Sequence, residues 1–156
     1  MARITTNTTG TEPILILATA VSGNLTVGCL QDVTITNSTG VYSYTSYCSP
    51  DMQKLTTPAD NSISTNIVID RESFFGNSAA TAGSAAYLGI LGLSGSKTPF
   101  TWNFYWAGNA TATTDILSSG TGFITGIASK VSPDAPVWVT PVNIAVDGAI
   151  TTIQTG

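Results

Sequence analysis

From Leu25 onward the chain alternates. Leu25, Val27, Cys29, Val33 and Ile35 fall on one face of an extended segment, and Thr26, Asp32, Thr34 and Thr36 on the other. That period of two predicts a half-buried strand with a wet side, closed by a turn at Asn37-Ser38-Thr39-Gly40. Val41 to Tyr47 starts a second strand. The stretch from Cys48 to Asn61 has no period and contains Pro50, Asp51, Pro58, Asp60 and Asn61. It reads as a structureless loop, either an interaction element or a plain surface loop. Alternation resumes with Ile63, Thr65, Ile67 and Ile69 opposite Ser64, Asn66 and Asp70, so the flanking strands predict a long-tipped hairpin.

Ser84 then offers an N-cap, and Tyr87, Leu88, Ile90 and Leu91 form an apolar stripe at helical spacing. This predicts one short helix, weakened by Gly89 and ended by Gly92 or Gly95. In Pro99 to Trp106, Phe100, Trp102, Phe104 and Trp106 share a face, which predicts core because large rings dominate buried area. Gly108 to Gly120 reads as a loop. Thr121 to Val131 reads as a strand with Phe123, Ile127 and Val131 aligned. Trp138, Val142, Ile144 and Val146 define a further strand, at an edge or kinked where Pro141 falls. Asp147-Gly148 between apolar runs predicts a two-residue hairpin turn, returning through Ile150 and Ile153. The sum is a single mainly β domain over residues 1–156, with six or seven strands, one helix and a polar, threonine-rich arm at residues 1–12.

Composition narrows the function. The chain has no histidine and only 14 charged side chains in 156 residues, while threonine and serine fill 42 positions. Without histidine, the usual general acid or base near neutral pH is missing, and no lysine stands where it could assist a serine. Metal sites draw on histidine, cysteine and clustered carboxylates; here Asp32, Asp70 and Glu72 are the only acidic group worth testing, at unremarkable spacing. No glycine-rich loop leads to a lysine in phosphate-binding order. The chain is therefore expected to be no enzyme, with no cofactor and no metal.

The five basic residues, Arg3, Lys54, Arg71, Lys97 and Lys130, are scattered. Tight nucleic-acid binding needs clustered cations to displace counterions, so only non-adhesive contact with DNA stays open. The apolar run Ile14–Val21 is far shorter than the roughly 20 residues that span a bilayer. Glu12 stands where an export signal would carry basic residues, so no membrane or export role is expected. Asn7, Asn24, Asn37 and Asn109 each open an N-x-Ser/Thr triplet, which a chain so rich in Ser and Thr produces by chance. Cys29 and Cys48 are expected to be reduced and partly buried.

The order of elements resembles the tail tube (major tail) protein of tailed bacteriophages. The segment Gly120 to Ile153 (GTGFITGIASKVSPDAPVWVTPVNIAVDGAITTI) looks like the strand-turn-strand ending of that family. The resemblance implies a β-sandwich with a flanking helix. Six copies would join their sheets into one ring-shaped β-barrel, and the rings would stack into a tube that conducts DNA. It also implies a structural protein of the virion, assembled in the host cytoplasm. Its partners would be itself and other tail proteins (tape measure, terminator, and sheath where there is one). The 48–61 segment would match the family's projecting loop, with Cys48, Pro50, Met52, Leu55 and Pro58 at the inter-ring contact.

The channel wall would be the polar strand faces: Thr26, Asp32, Thr34, Ser64, Asn66 and Asp70. Such a wall does not hold phosphate, and six copies at -4 each would carry about -24 per ring. Two alternatives compete. One is another viral assembly part, a tail terminator or a capsid decoration protein. The other is a carbohydrate-binding or adhesin sandwich, stacking sugars on the Trp102–Trp106 row and on Tyr42, Tyr44 and Tyr47.

Overall fold

The computed structural model describes residues 13–27, 30–106 and 116–154. The polar arm 1–12, Cys29 and residues 108–115 of the predicted Gly108–Gly120 loop lie outside them. The described residues form seven strands: β1 (Ile14–Ala18), β2 (Leu25–Val27), β3 (Leu30–Ser46), β4 (Ser49–Val68), β5 (Phe100–Tyr105), β6 (Ile116–Ile127) and β7 (Val139–Gln154). Two helices, α1 (Arg71–Phe75) and α2 (Ala85–Ser96), lie between β4 and β5. All seven strands join one antiparallel sheet in the order β2-β1-β5-β6-β7-β4-β3.

The expected sandwich of two sheets is thus a single sheet, and covalent geometry shows why it can still enclose a core. β2 ends at Val27 and β3 begins at Leu30, yet these strands are the opposite edges of the sheet. Three Cα–Cα steps span at most about 11 Å. The sheet must therefore roll until its two edges nearly meet, although they are not paired among the described residues. One face lines the inside. Leu15, Leu17, Leu25, Val27, Phe100, Trp102, Phe104, Ile124, Val142, Ile144, Ile63 and Ile67 are buried there in one cluster with Phe74, Ala85, Ile90 and Leu93 of the helices.

The helices close the roll and owe their starts to capping. Asp70 caps α1 by accepting from the Ser73 amide at 3.4 Å. The fully buried Ser84 caps α2 by accepting from the Tyr87 amide at 3.2 Å. The cap at Ser84 is where the sequence placed it, and of the expected stripe Leu88 and Ile90 meet the core while the other two do not. Ala85, Ile90 and Leu93 face the core, while Tyr87 and Leu91 face outward. The reason is Gly89, whose φ of 67° breaks the helix and rotates its second half. At that point its backbone lies directly against Gly76 and Phe74, leaving no room for a Cβ.

Three further expectations change, and one at Pro141 holds. The Asn37–Gly40 turn does not exist, because β3 continues through it. In β6 the buried residue is Ile124, not Phe123, and a register shift between Ile124 and Gly126 lets Ile127 rejoin the core side; Val131 lies beyond the strand and is exposed. Asp147-Gly148 is a bulge within β7 and not a hairpin turn: the partners of β6 jump from Asp147 to Thr151 across it, with Gly148 at φ 88°. Pro141 sits in an inner strand, yet β6 has ended by Val142, so β7 pairs only with β4 there. A missing N–H costs nothing on an unpaired side, and the local-edge reading holds.

Candidate assembly surfaces

β7 pairs with β4 only from Ser62 to Val68, so the rest of the β3–β4 hairpin leaves the sheet as a two-stranded ribbon. Its ladder runs from Asn37↔Asn61 to Ser46↔Ser49 and turns at Tyr47-Cys48. At about 3.3 Å per residue it reaches roughly 30 Å from the body. The 48–61 segment is therefore a paired strand and not a structureless loop. Its lack of hydrophobic period is real, because both faces of the ribbon meet solvent and nothing demands alternation. Thr57 and Pro58 fall in the register shift between Thr39 and Val41, where an imino acid removes no ladder bond.

The ribbon carries large apolar groups without covering them. Val41, Tyr42, Met52 and Leu55 are each more than half exposed, and Tyr47 at the turn is fully so. Tyr42 pairs directly with Leu55, and its ring stacks on that of Tyr44 at 6.1 Å between centroids. The Tyr44 hydroxyl donates to Gln53 Oε1 at 2.7 Å, fixing the ring across the strands. Tyr42, Tyr44 and Leu55 thus make one apolar face; Val41, Thr56 and Lys54 belong to the other. Of the five residues expected at this contact, Met52 and Leu55 supply the apolar area. Pro50 and Pro58 are exposed strand residues, and Cys48 is a free, exposed thiol at the turn, not a partly buried one.

The polar face forms on the side of the sheet away from the core. Asp32 pairs with Asn66 and Thr34 with Ser64. Asp32 Oδ1 accepts from the Asn66 amide at 3.1 Å and from Asn66 Nδ2 at 2.9 Å, so carboxylate and amide are clasped together. Ser64 in turn pairs with Asn143 of β7, and Thr121 of β6 with Asp147. Asn143, Thr121 and Asp147 extend the same face, and the alternate positions of β7 were the unused sequence signal for Asn143 and Asp147. The basic side chains Lys54, Arg71, Lys97 and Lys130 lie on the ribbon, on α1, after α2 and after β6, so none stands on this face.

Two predicted wall residues sit apart. Thr26 is exposed on β2, the other edge strand. Asp70 is past the end of β4, engaged as the cap of α1. The Ser73 hydroxyl donates to it at 3.0 Å. That bond holds its carboxyl below its ordinary value against the opposing effect of burial, with help from the backbone amides of Ser73, Arg71 and Glu72.

Of the aromatic row, Phe100, Trp102 and Phe104 are buried, as expected of core. Trp106 is partly exposed at the strand's end, where its Nε1 donates to Ser118 Oγ at 2.7 Å. A sugar platform built on the row therefore has no exposed row to use. Among the described residues no three potential metal ligands gather, and no helix is long and apolar enough to cross a membrane.

No protein-family model matches the sequence, and no curated protein does. The fold, in contrast, has counterparts among solved structures. A chain of the virion of a native gene transfer agent particle superposes with a TM-score of 0.59 at 14% identity, over 89% of this chain and 95% of that one. A chain of the SPP1 tail tube gives 0.60 at 10% identity, over 92% of this chain and 76% of that one. The sheath-tube complex of an extracellular contractile injection system, PVC, supplies a third, at 0.56 and 10% identity, over 90% and 88%. The fold of this chain is the one found in tail tubes and in the tubes of contractile injection systems.

Proposed function

We propose that this chain is a structural protein of a phage-type tail tube, in which six copies close a ring and rings stack around a channel for DNA. The observation that carries the reading is the ribbon. A two-stranded hairpin standing free in water is marginal at best, and an exposed apolar face rimmed by polar residues marks an interaction site. A ribbon that projects from the body with Val41, Tyr42, Met52 and Leu55 each more than half exposed is an element built for a neighbour. The shared fold supports the choice of neighbour, a further copy in a tube.

Ring closure would use the sheet's free edges, β2 and β3, removing the exposed ladder that invites aggregation. The wall would be the Asp32, Thr34, Ser64 and Asn66 face, with Asn143 beside it and Thr26 and Asp70 at its margins. Acidic and neutral groups without a cation give DNA no phosphate contact to release. Other tail proteins would bound the tube, and the finished particle would be the virion.

Negative-stain imaging of the purified protein tests this. Hollow tubes of stacked rings are expected, and deletion of residues 50–58 should leave folded subunits or single rings. Monomers at all concentrations with no tubes would overturn the reading. A single ring or trimer that never polymerises would favour a terminator or decoration protein.

A further inference from the structure

The ribbon needs a surface to land on, and the far end of its own strand supplies a matching one. β4 leaves the ribbon at Asn61 and runs to Val68, where it pairs with Val139 at the start of β7. The 128–138 connection from β6 to β7 closes at that same end, tied to β4 by the bond from the Ile69 amide to the Trp138 carbonyl at 2.7 Å. The connection exposes Val131, Val137 and Trp138, at 60%, 55% and 40%. These side chains are displayed and not collapsed. Trp138 Nε1 donates to the Ser132 carbonyl at 2.9 Å, and the Ala135 amide to the same oxygen at 3.2 Å. Ser129 Oγ donates to Thr140 Oγ1 at 3.2 Å, anchoring the other side of the connection.

We infer that the 128–138 connection is the receiving surface for the ribbon of another copy, with Val131, Val137 and Trp138 taking Tyr42, Tyr44 and Leu55. The inference rests on the stacked-tube reading and names the partner surface within it. Two complementary patches at opposite ends of one strand make a heterologous contact. Repeated by translation, it cannot close and so builds a filament. Charge fits as well: in a chain with few ions, the ribbon carries Asp51 and the connection carries Lys130, an opposite-sign pair across the joint. Two other exposed apolar groups on the sheet are worse placed. Ile153 pairs with Leu117 near the start of β6, the end from which the ribbon itself departs, and Phe123 lies on the polar face.

A mixing experiment decides it. One variant carries a broken ribbon (Tyr42→Asp with Leu55→Asp) and the other a broken connection (Val137→Asp with Trp138→Ser). Circular dichroism checks that both are folded, and Val131→Asp serves as a second connection variant should the first unfold. Each alone should stop at single rings while the wild type forms tubes. Mixed, they should yield stacks limited to two rings, because only one intact ribbon meets one intact connection. Tubes from the connection variant alone would overturn the assignment, as would the absence of two-ring stacks from the mixture. A wild type that forms no tubes would instead overturn the stacked-tube reading itself.

Discussion

Asn61 Nδ2 donates to the Gly148 carbonyl at 3.1 Å, joining the root of the ribbon to the bulge in β7. Asn61 is the last buried residue before the ribbon leaves the sheet. The bulge turns the Gly148 carbonyl toward it, with Gly148 at the positive φ that the kink requires. Sheet and ribbon are held at one angle by this contact.

Asn61→Ala removes the partner of a carbonyl beside the core. It should lower stability by about 1 kcal/mol, read in urea or heat denaturation. Because the ribbon loses its fixed exit angle, tubes should also be shorter or irregular under the microscope. An unchanged midpoint would show that water serves the carbonyl equally well.

Gly120 lies under Trp102, where a Cβ would sit 3.1 Å from the indole Cζ2 and 3.2 Å from the Ala149 carbonyl oxygen. Both neighbours are fixed, one by burial and one by backbone. Gly120→Ala should destabilise by about 1–3 kcal/mol through overpacking and shift tryptophan fluorescence. Gly95, near the end of α2, has nothing within 4 Å of its Cβ position. Gly95→Ala should stabilise by about 0.5–1 kcal/mol through helix propensity. Opposite signs from the same substitution are the expected result of thermal melts.

Asp70 caps α1 with a carboxyl lowered from its ordinary 3.8. A depressed folded value means the charged form stabilises the fold, fully above the unfolded value and progressively less as pH falls through the folded one. Asp70→Ala should cost about 1 kcal/mol at neutral pH. The gap between wild type and variant should narrow below about pH 4. A gap constant from pH 7 to pH 2 would mean that the charge is idle.

Thr34→Arg places six cations per ring on the proposed wall, beside Ser64. Each arginine offers a phosphate contact, so DNA passage should slow, and the defect should ease as salt rises. Passage at an unchanged, salt-independent rate would place this face outside the channel.

The half-buried strands were readable because one face is core. Ile63, Thr65 and Ile67 are buried in the register their alternation predicts. The cap at Ser84 was readable because its chemistry is local. The ribbon was not, since a strand wet on both faces has no period to read. The wrong face of β6 traces to its register shift near Gly126, and the turn expected at Gly148 is absent because β7 bulges and continues. Each of these is decided by a partner strand far along the chain, which local spacing cannot report. Asp32, Thr34, Ser64 and Asn66 share one face of β3 and β4, as alternation predicts. Asp70 departed because the strand ends before it, and its side chain was taken by Ser73.

The pairing of β1 with β5, Leu17 opposite Trp102, has a consequence for how the molecule is made. About 85 positions separate these partners, while the hairpin of β3 and β4 closes locally. Loop-closure entropy favours the near contact first. The sticky ribbon therefore forms while Ile14, Leu15, Ile16 and Leu17 still wait, uncovered, for a strand synthesised much later. A fold dominated by such distant pairings matures in milliseconds to seconds. During that interval the chain can be captured by its own kind before its core is shut, so yield in the cell should depend on expression rate and temperature more than on final stability.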